Sequence, residues 1–232
     1  MDDRRRPSSD GRSQNPAYRP TRPSPSRSRR TPASADNCGT CLRADAYGRR
    51  VAYDVLVECQ RLIADGLPDQ PVRLSRRHRF APVAVDVDGG IAAARFVRRG
   101  AGCVHDETHL LTREGQSWTY RGGGGADYFE PWSTDDFERA REQLPVGHVE
   151  LGSGPSVWLD SNGWLPFGGN GLHATHLLVG RKVVSILVDD RRRLAVPPHG
   201  RLIVVWTTHR PPRISAQDVE QNELASLALP SG

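Results

Sequence analysis

The sequence predicts an α+β fold: an N-terminal helix with an antiparallel meander, then a mostly antiparallel β-sandwich or open barrel, behind a disordered tail. Three observations carry this reading. Composition changes sharply near residue 38, the apolar period changes from 3.6 to 2 near residue 83, and turn signals recur at intervals of about eight to twelve residues through the C-terminal half.

The tail comes first. Residues 1–37 are almost entirely Arg, Pro, Ser, Asp and Ala, too poor in apolar surface to offset the entropy of ordering. Nine Arg against three Asp give residues 1–35 a net +6, more than the whole chain's +5, so the remainder carries −1. The sequence pI of 9.4 therefore reports the tail and not a basic patch on a folded domain. Nucleic-acid binding by the tail is accordingly not the favoured reading. There is no signal-peptide-like apolar run behind the N-terminal arginines and no apolar run of membrane-spanning length, so the chain reads as cytoplasmic with no membrane partner. The expected organisation is a tail over 1–37, a helix-plus-meander lobe over 38–145 and a β-rich lobe over 146–232.

The segment 47–65, YGRRVAYDVLVECQRLIAD, predicts a helix. Val51, Val55, Cys59 and Ile63 form one apolar stripe, and Gly66 and Pro68 end it. Alternation then predicts strands at 83–87 and 91–98 around an Asp88-Gly89-Gly90 turn, and at 103–112 and 117–121 around a turn at 113–116. Gly122–Gly125 reads as a flexible linker, since no Lys-Ser/Thr follows to make a phosphate loop. A short helix in PWSTDDFERAREQLP follows, capped by Ser133 or Thr134. The C-terminal half offers strands at 175–179, 183–188 and 202–207 and a last pair near 214 and 224–229. In outline, residues 46–121 resemble the cone-shaped domains of the nuclear transport factor 2 kind, a resemblance of shape that transfers no residues.

No motif settles function. His105-Asp106-Glu107-Thr108-His109 brings to mind a zinc protease, but the Glu stands one place too late for His-Glu-x-x-His, and the surroundings read as strand. A strand would put Cys103, His105, Glu107 and His109 on one face. Two site hypotheses follow. Cys38-Gly39-Thr40-Cys41 with Cys103 and His105 would make a tetrahedral structural zinc site, the only cofactor the sequence offers. Alternatively, His105, Glu107 and His109 would serve as acid–base groups of a small enzyme using a pocket in the first lobe. A redox role for CGTC lacks the strand-to-helix context. Ser153 sits in Gly-Ser-Gly without nucleophile-elbow spacing, His173 and His176 fall on opposite strand faces, and Asp189 and Asp190 occupy a turn.

The aromatic residues Trp158, Trp164 and Phe167 lie in a loop-like segment rich in Gly, Asn and Pro, where they would form a ligand or partner surface. The favoured expectation is a non-enzymatic binding or accessory protein for an unidentified protein or small-molecule ligand.

Overall fold

Asp54 opens the first element because its extended backbone leaves the carboxylate free to accept the amides of Leu56 and Val57, at 3.0 and 3.2 Å. Helix α1 (Val55–Asp65) runs from there to Gly66, whose positive φ of 76° lets its amide return to Leu62 O. The computed structural model describes residues 54–70, 72–76, 78–100, 102–128, 134–159, 171–207 and 210–229, with the side chains of 134 and 135 left out. The expected helical turns at 47–53, the tail, Cys38, Cys41, Trp164 and Phe167 lie outside the described residues.

Strands β1 (Phe80–Asp88), β2 (Ile91–Arg99), β3 (Val104–Glu114) and β4 (Ser117–Tyr128) form an antiparallel meander in that order. Ala92, Ala93 and Ala94 of β2 are all fully buried, and their size explains why both faces of this sheet are covered closely. Ala92 and Ala94 face Cys59 and Leu62 of α1, while Ala93 on the other face meets Leu172, Ala174, Ile203 and Val205.

Gly122–Gly125 is not a linker. All four glycines belong to β4 and pair with Leu110 back to Glu107 on β3. The physical reason is close approach: a Cβ on Gly123 or Gly125 would meet the carbonyl oxygen of Thr108 or Asp106 at 2.2 and 2.4 Å, and one on Gly122 would strike Val157. Here glycine removes side-chain bulk from a strand and does not add freedom to a loop.

After α2 (Thr134–Gln143) the chain is strands: β5 (Val149–Leu151), β6 (Ser156–Trp158), β7 (Gly171–Val179), β8 (Ser185–Val188), β9 (Arg192–Ala195), β10 (Arg201–Trp206), β11 (Arg213–Gln217) and β12 (Glu223–Ala228). A central sheet pairs β10 with β7, whose other edge takes β5 and then β6. An outer sheet runs β12-β11-β8-β9. The Gly180–Arg181 connection therefore carries the chain from one sheet to another instead of closing a hairpin.

The two long strands of the central sheet, β7 and β10, are buried on both faces, which is why they read as nearly continuous apolar runs. One face meets the meander. The other places Leu177, Val179, Leu202, Val204 and Trp206 against Ile186, Val188, Ile214 and Ala216 of the outer sheet. Each fully buried Leu or Ile here contributes about 1.5–3 kcal/mol. One polar tether crosses the layers: Asp86 of β1, 3% exposed, accepts Arg192 Nη1 at 2.7 Å and the Val205 amide at 2.8 Å. Among the described residues no helix is long and apolar enough to cross a membrane.

Candidate functional site

The meander and the central sheet do not close on each other along their whole length. Alternation sends Asp106 and Thr108 of β3, and Arg95 of β2, to the face that meets the central sheet, where apolar neighbours would be expected. Arg95 and Asp106 satisfy one another. Nε donates to Oδ1 at 2.8 Å and Nη2 to Oδ2 at 2.6 Å, a bidentate pair with side chains only 6% and 11% exposed. Truncating one partner of such a pair leaves an uncompensated buried charge and costs about 3–5 kcal/mol.

Beside this pair the surface opens into a cleft of two adjoining hollows that share Arg95, Ser153 and His176, with about 590 and 880 Å3 of open space. The first is floored by Asp106 and the glycines of β4 and rimmed by Tyr128; the second reaches Arg201 and Glu150. The lip comes from Gly152–Pro155, the connection between β5 and β6. Gly152 donates its amide to His176 O at 2.8 Å, and Pro155 O accepts from Ala174. A Cβ on Gly154 would lie 2.0 Å from Ala174 O, so only glycine lets this lip sit against β7.

His176 projects from β7 into the cleft and shares a 2.7 Å hydrogen bond between its Nε2 and Thr108 Oγ1. Burial, with Arg95 next in strength and Arg201 adding to it, pushes its pKa down to about 4 against the opposing pull of Asp106, so it is neutral at pH 7. His199 is pushed down to about 4 by burial and then by Arg201, Arg141 and Arg95. Burial dominates at both histidines, and a shared positive charge adds to it.

The charge comes from three converging arginines, two of them already engaged. Arg95 is held by Asp106, and Arg141 of α2 donates to the carbonyls of Pro197, Pro198 and Val183 at 3.3, 2.5 and 3.1 Å. Arg201 differs. Its guanidinium lies 4.0 Å over the Phe137 ring, its Nε is buried without a hydrogen-bond partner, and among the described residues no carboxylate stands within salt-bridge distance. Burial and then Arg95 lower its pKa. An arginine stacked on a ring and lining a cleft can receive an anion.

The residues singled out from sequence lie elsewhere. His105, Glu107 and His109 share the opposite face of the meander, on the α1 side, and are engaged locally. Glu107 accepts Arg98 Nε at 3.1 Å. Burial disfavours its carboxylate, but His109 and Arg98 outweigh that and hold its pKa at about 2. Both ring nitrogens of His109 are buried without a hydrogen-bond partner, and its 3.6 Å approach to Glu107 is an electrostatic contact too long for a hydrogen bond. His105 Nδ1 meets Asp127 Oδ1 at 2.5 Å, and its Nε2 stands 3.4 Å from Cys103 Sγ. Among the described residues no three or more His, Cys, Asp or Glu side chains cluster as a metal site. Trp158, on β6, is 76% exposed.

His173 and His176 do lie on opposite faces of β7, His173 stacking on Trp206 towards the outer sheet. Sequence reasoning passed over Arg95, Asp106 and Arg201, although a signal existed: each interrupts the apolar parity of its strand. In comparisons with known proteins, no protein-family model, no curated protein and no solved structure matches this chain.

Proposed function

We propose that this is a non-enzymatic, cytoplasmic binding or accessory protein whose ligand is a small anion, carboxylate or phosphate, seated in the cleft beside Arg201. The observation that supports the reading is the state of Arg201: stacked, part-buried and without a carboxylate partner among the described residues. In the same reading the meander is the cone-like lobe, the central and outer sheets form a sandwich, and Trp158 belongs to a separate partner surface. The acid–base alternative at His105, Glu107 and His109 is less favoured, because Glu107 is already committed to Arg98 and the described cleft lies on the other face.

Thermal unfolding in inorganic phosphate or citrate, against chloride at equal ionic strength, tests the proposal. At ten times Kd a ligand adds about 1.4 kcal/mol, which for a chain of this size raises Tm by about 3–6 °C. The wild type shows that rise and Arg201→Gln does not. Equal rises in both proteins, or none with either anion, would refute it.

A further inference from the structure

We infer that Cys103 is a nucleophilic thiol that small hydroperoxides oxidise, with His105 taking up its proton and Asp127 orienting the histidine. The three side chains are independent of the anion cleft and lie apart from its hollows.

The order of the groups supports it first. Cys103 Sγ and His105 Nε2 stand 3.4 Å apart, within hydrogen-bond reach for an atom as large as sulfur. On the far side of the ring, His105 Nδ1 meets Asp127 Oδ1 at 2.5 Å. A carboxylate oxygen accepts, so Nδ1 carries the ring proton, and Nε2 of the neutral ring keeps its lone pair for the thiol. Nucleophile, base and orienter thus stand in the sequence that activates a weak nucleophile. Asp127 arrives there by strand register, directly opposite His105 across β3 and β4.

The connection from β2 to β3 is shaped around the pair. A Cβ on Gly100 would lie 2.3 Å from His105 Nε2 and 2.8 Å from Cys103 Sγ, so a side chain there would push the two atoms out of place. The Gly100 amide donates to Cys103 O at 2.9 Å, and Gly102 turns the chain at a φ of 79°. Backbone therefore holds the thiol beside the imidazole.

Access identifies the reagent. Cys103 is half-buried, and the side chains of His105 and Asp127 are 20% and 58% exposed, so solvent reaches the group. A hydroperoxide needs no enclosing pocket: one oxygen must reach the sulfur, and the leaving oxygen must receive a proton. Cys59 supplies the contrast. It is fully buried beneath α1, and burial, with Glu58 and Glu107 adding to it, pushes its thiol up to about 12. Oxidation follows thiolate character and exposure, and Cys59 has neither.

The step balances as written for hydrogen peroxide. The thiol proton passes to His105 Nε2, and the sulfur attacks one peroxide oxygen. The S–O bond forms as the O–O bond breaks, and the departing hydroxide takes the proton from Nε2 as water. Sulfur loses two electrons, the peroxide gains two, and Cys103 ends as a sulfenic acid.

Reduced full-length protein treated with hydrogen peroxide and dimedone, which traps sulfenic acids, tests this by peptide-resolved mass spectrometry. Cys103 is expected to react about 100-fold faster than free glutathione under the same conditions, the lower end of what positioned proton transfer supplies. His105→Gln removes that advantage. Asp127→Ala lowers the rate and Asp127→Glu restores it, a rescue that a merely structural role would not give. Cys59 stays unlabelled while a variant is folded, and the wild-type comparison with glutathione stands even if a variant unfolds. A wild-type rate no greater than that of glutathione, or an undiminished rate in His105→Gln with Cys59 still protected, overturns the proposal.

Discussion

His176 shows how one side chain couples the cleft to stability. Its ordinary pKa of 6.5 falls to about 4 in the fold, so the fold favours the neutral ring. The stability this gives is complete above pH 6.5 and is lost as pH falls towards 4. A shift of that size corresponds to roughly 3 kcal/mol at most, by about 1.4 kcal/mol per unit. His199 acts in the same direction and over the same window. Asp86 opposes them: burial, only partly offset by Arg192 and the Val205 amide, raises it to about 6, so its contribution grows as pH falls below 6. Two histidines outweigh one aspartate, and Tm is expected to drop between pH 7 and pH 4.5. His176→Gln should show a smaller drop over that interval, checked by calorimetry at the two pH values; an undiminished drop would mean the ring does not titrate as described. The residues involved were only partly legible beforehand. Alternation placed His105, Glu107 and His109 on one strand face, but nothing in a local pattern says that Arg95 and Asp106, eleven residues apart, meet across a hairpin.

At the scale of elements, α1, the meander hairpins and the β8–β9 turn followed from local chemistry. Asp189 and Asp190 take positive φ values of 47° and 54° in that turn, a conformation Asp tolerates. The glycine run of β4 was misread because composition reports what a residue permits and not which neighbour it must clear. Helix α2 depends on one residue for its attachment. Arg141 binds backbone carbonyls from two separate connections, around Pro197 and around Val183, and Gly200 at φ 71° leaves space for its side chain. Hydrogen bonds from a charged donor contribute about 1.5–3 kcal/mol each to buried partners. Arg141→Ala is therefore expected to destabilise by about 2–4 kcal/mol in urea unfolding, with Arg141→Lys recovering less than half, since an ammonium cannot span both sites. Full recovery by lysine would show that charge alone suffices.

For the molecule as a whole, the sheets are stacked so that β7 and β10 of the central one are covered on both faces, with Arg95, His176 and Arg201 interrupting the apolar packing at the cleft. Which strand joins which sheet was not legible, because β7 and β8 are sequence neighbours of similar composition, yet they belong to different sheets. The cleft is a product of that stacking and could not be read from any single segment. The central claim is that an anion occupies it on Arg201. A crystal structure of the protein in inorganic phosphate at ten times the Kd for phosphate tests this most directly. The account predicts a phosphate within about 3 Å of the Arg201 terminal nitrogens, the distance of a charge-assisted hydrogen bond. A phosphate bound elsewhere, with the cleft holding only solvent, would contradict it.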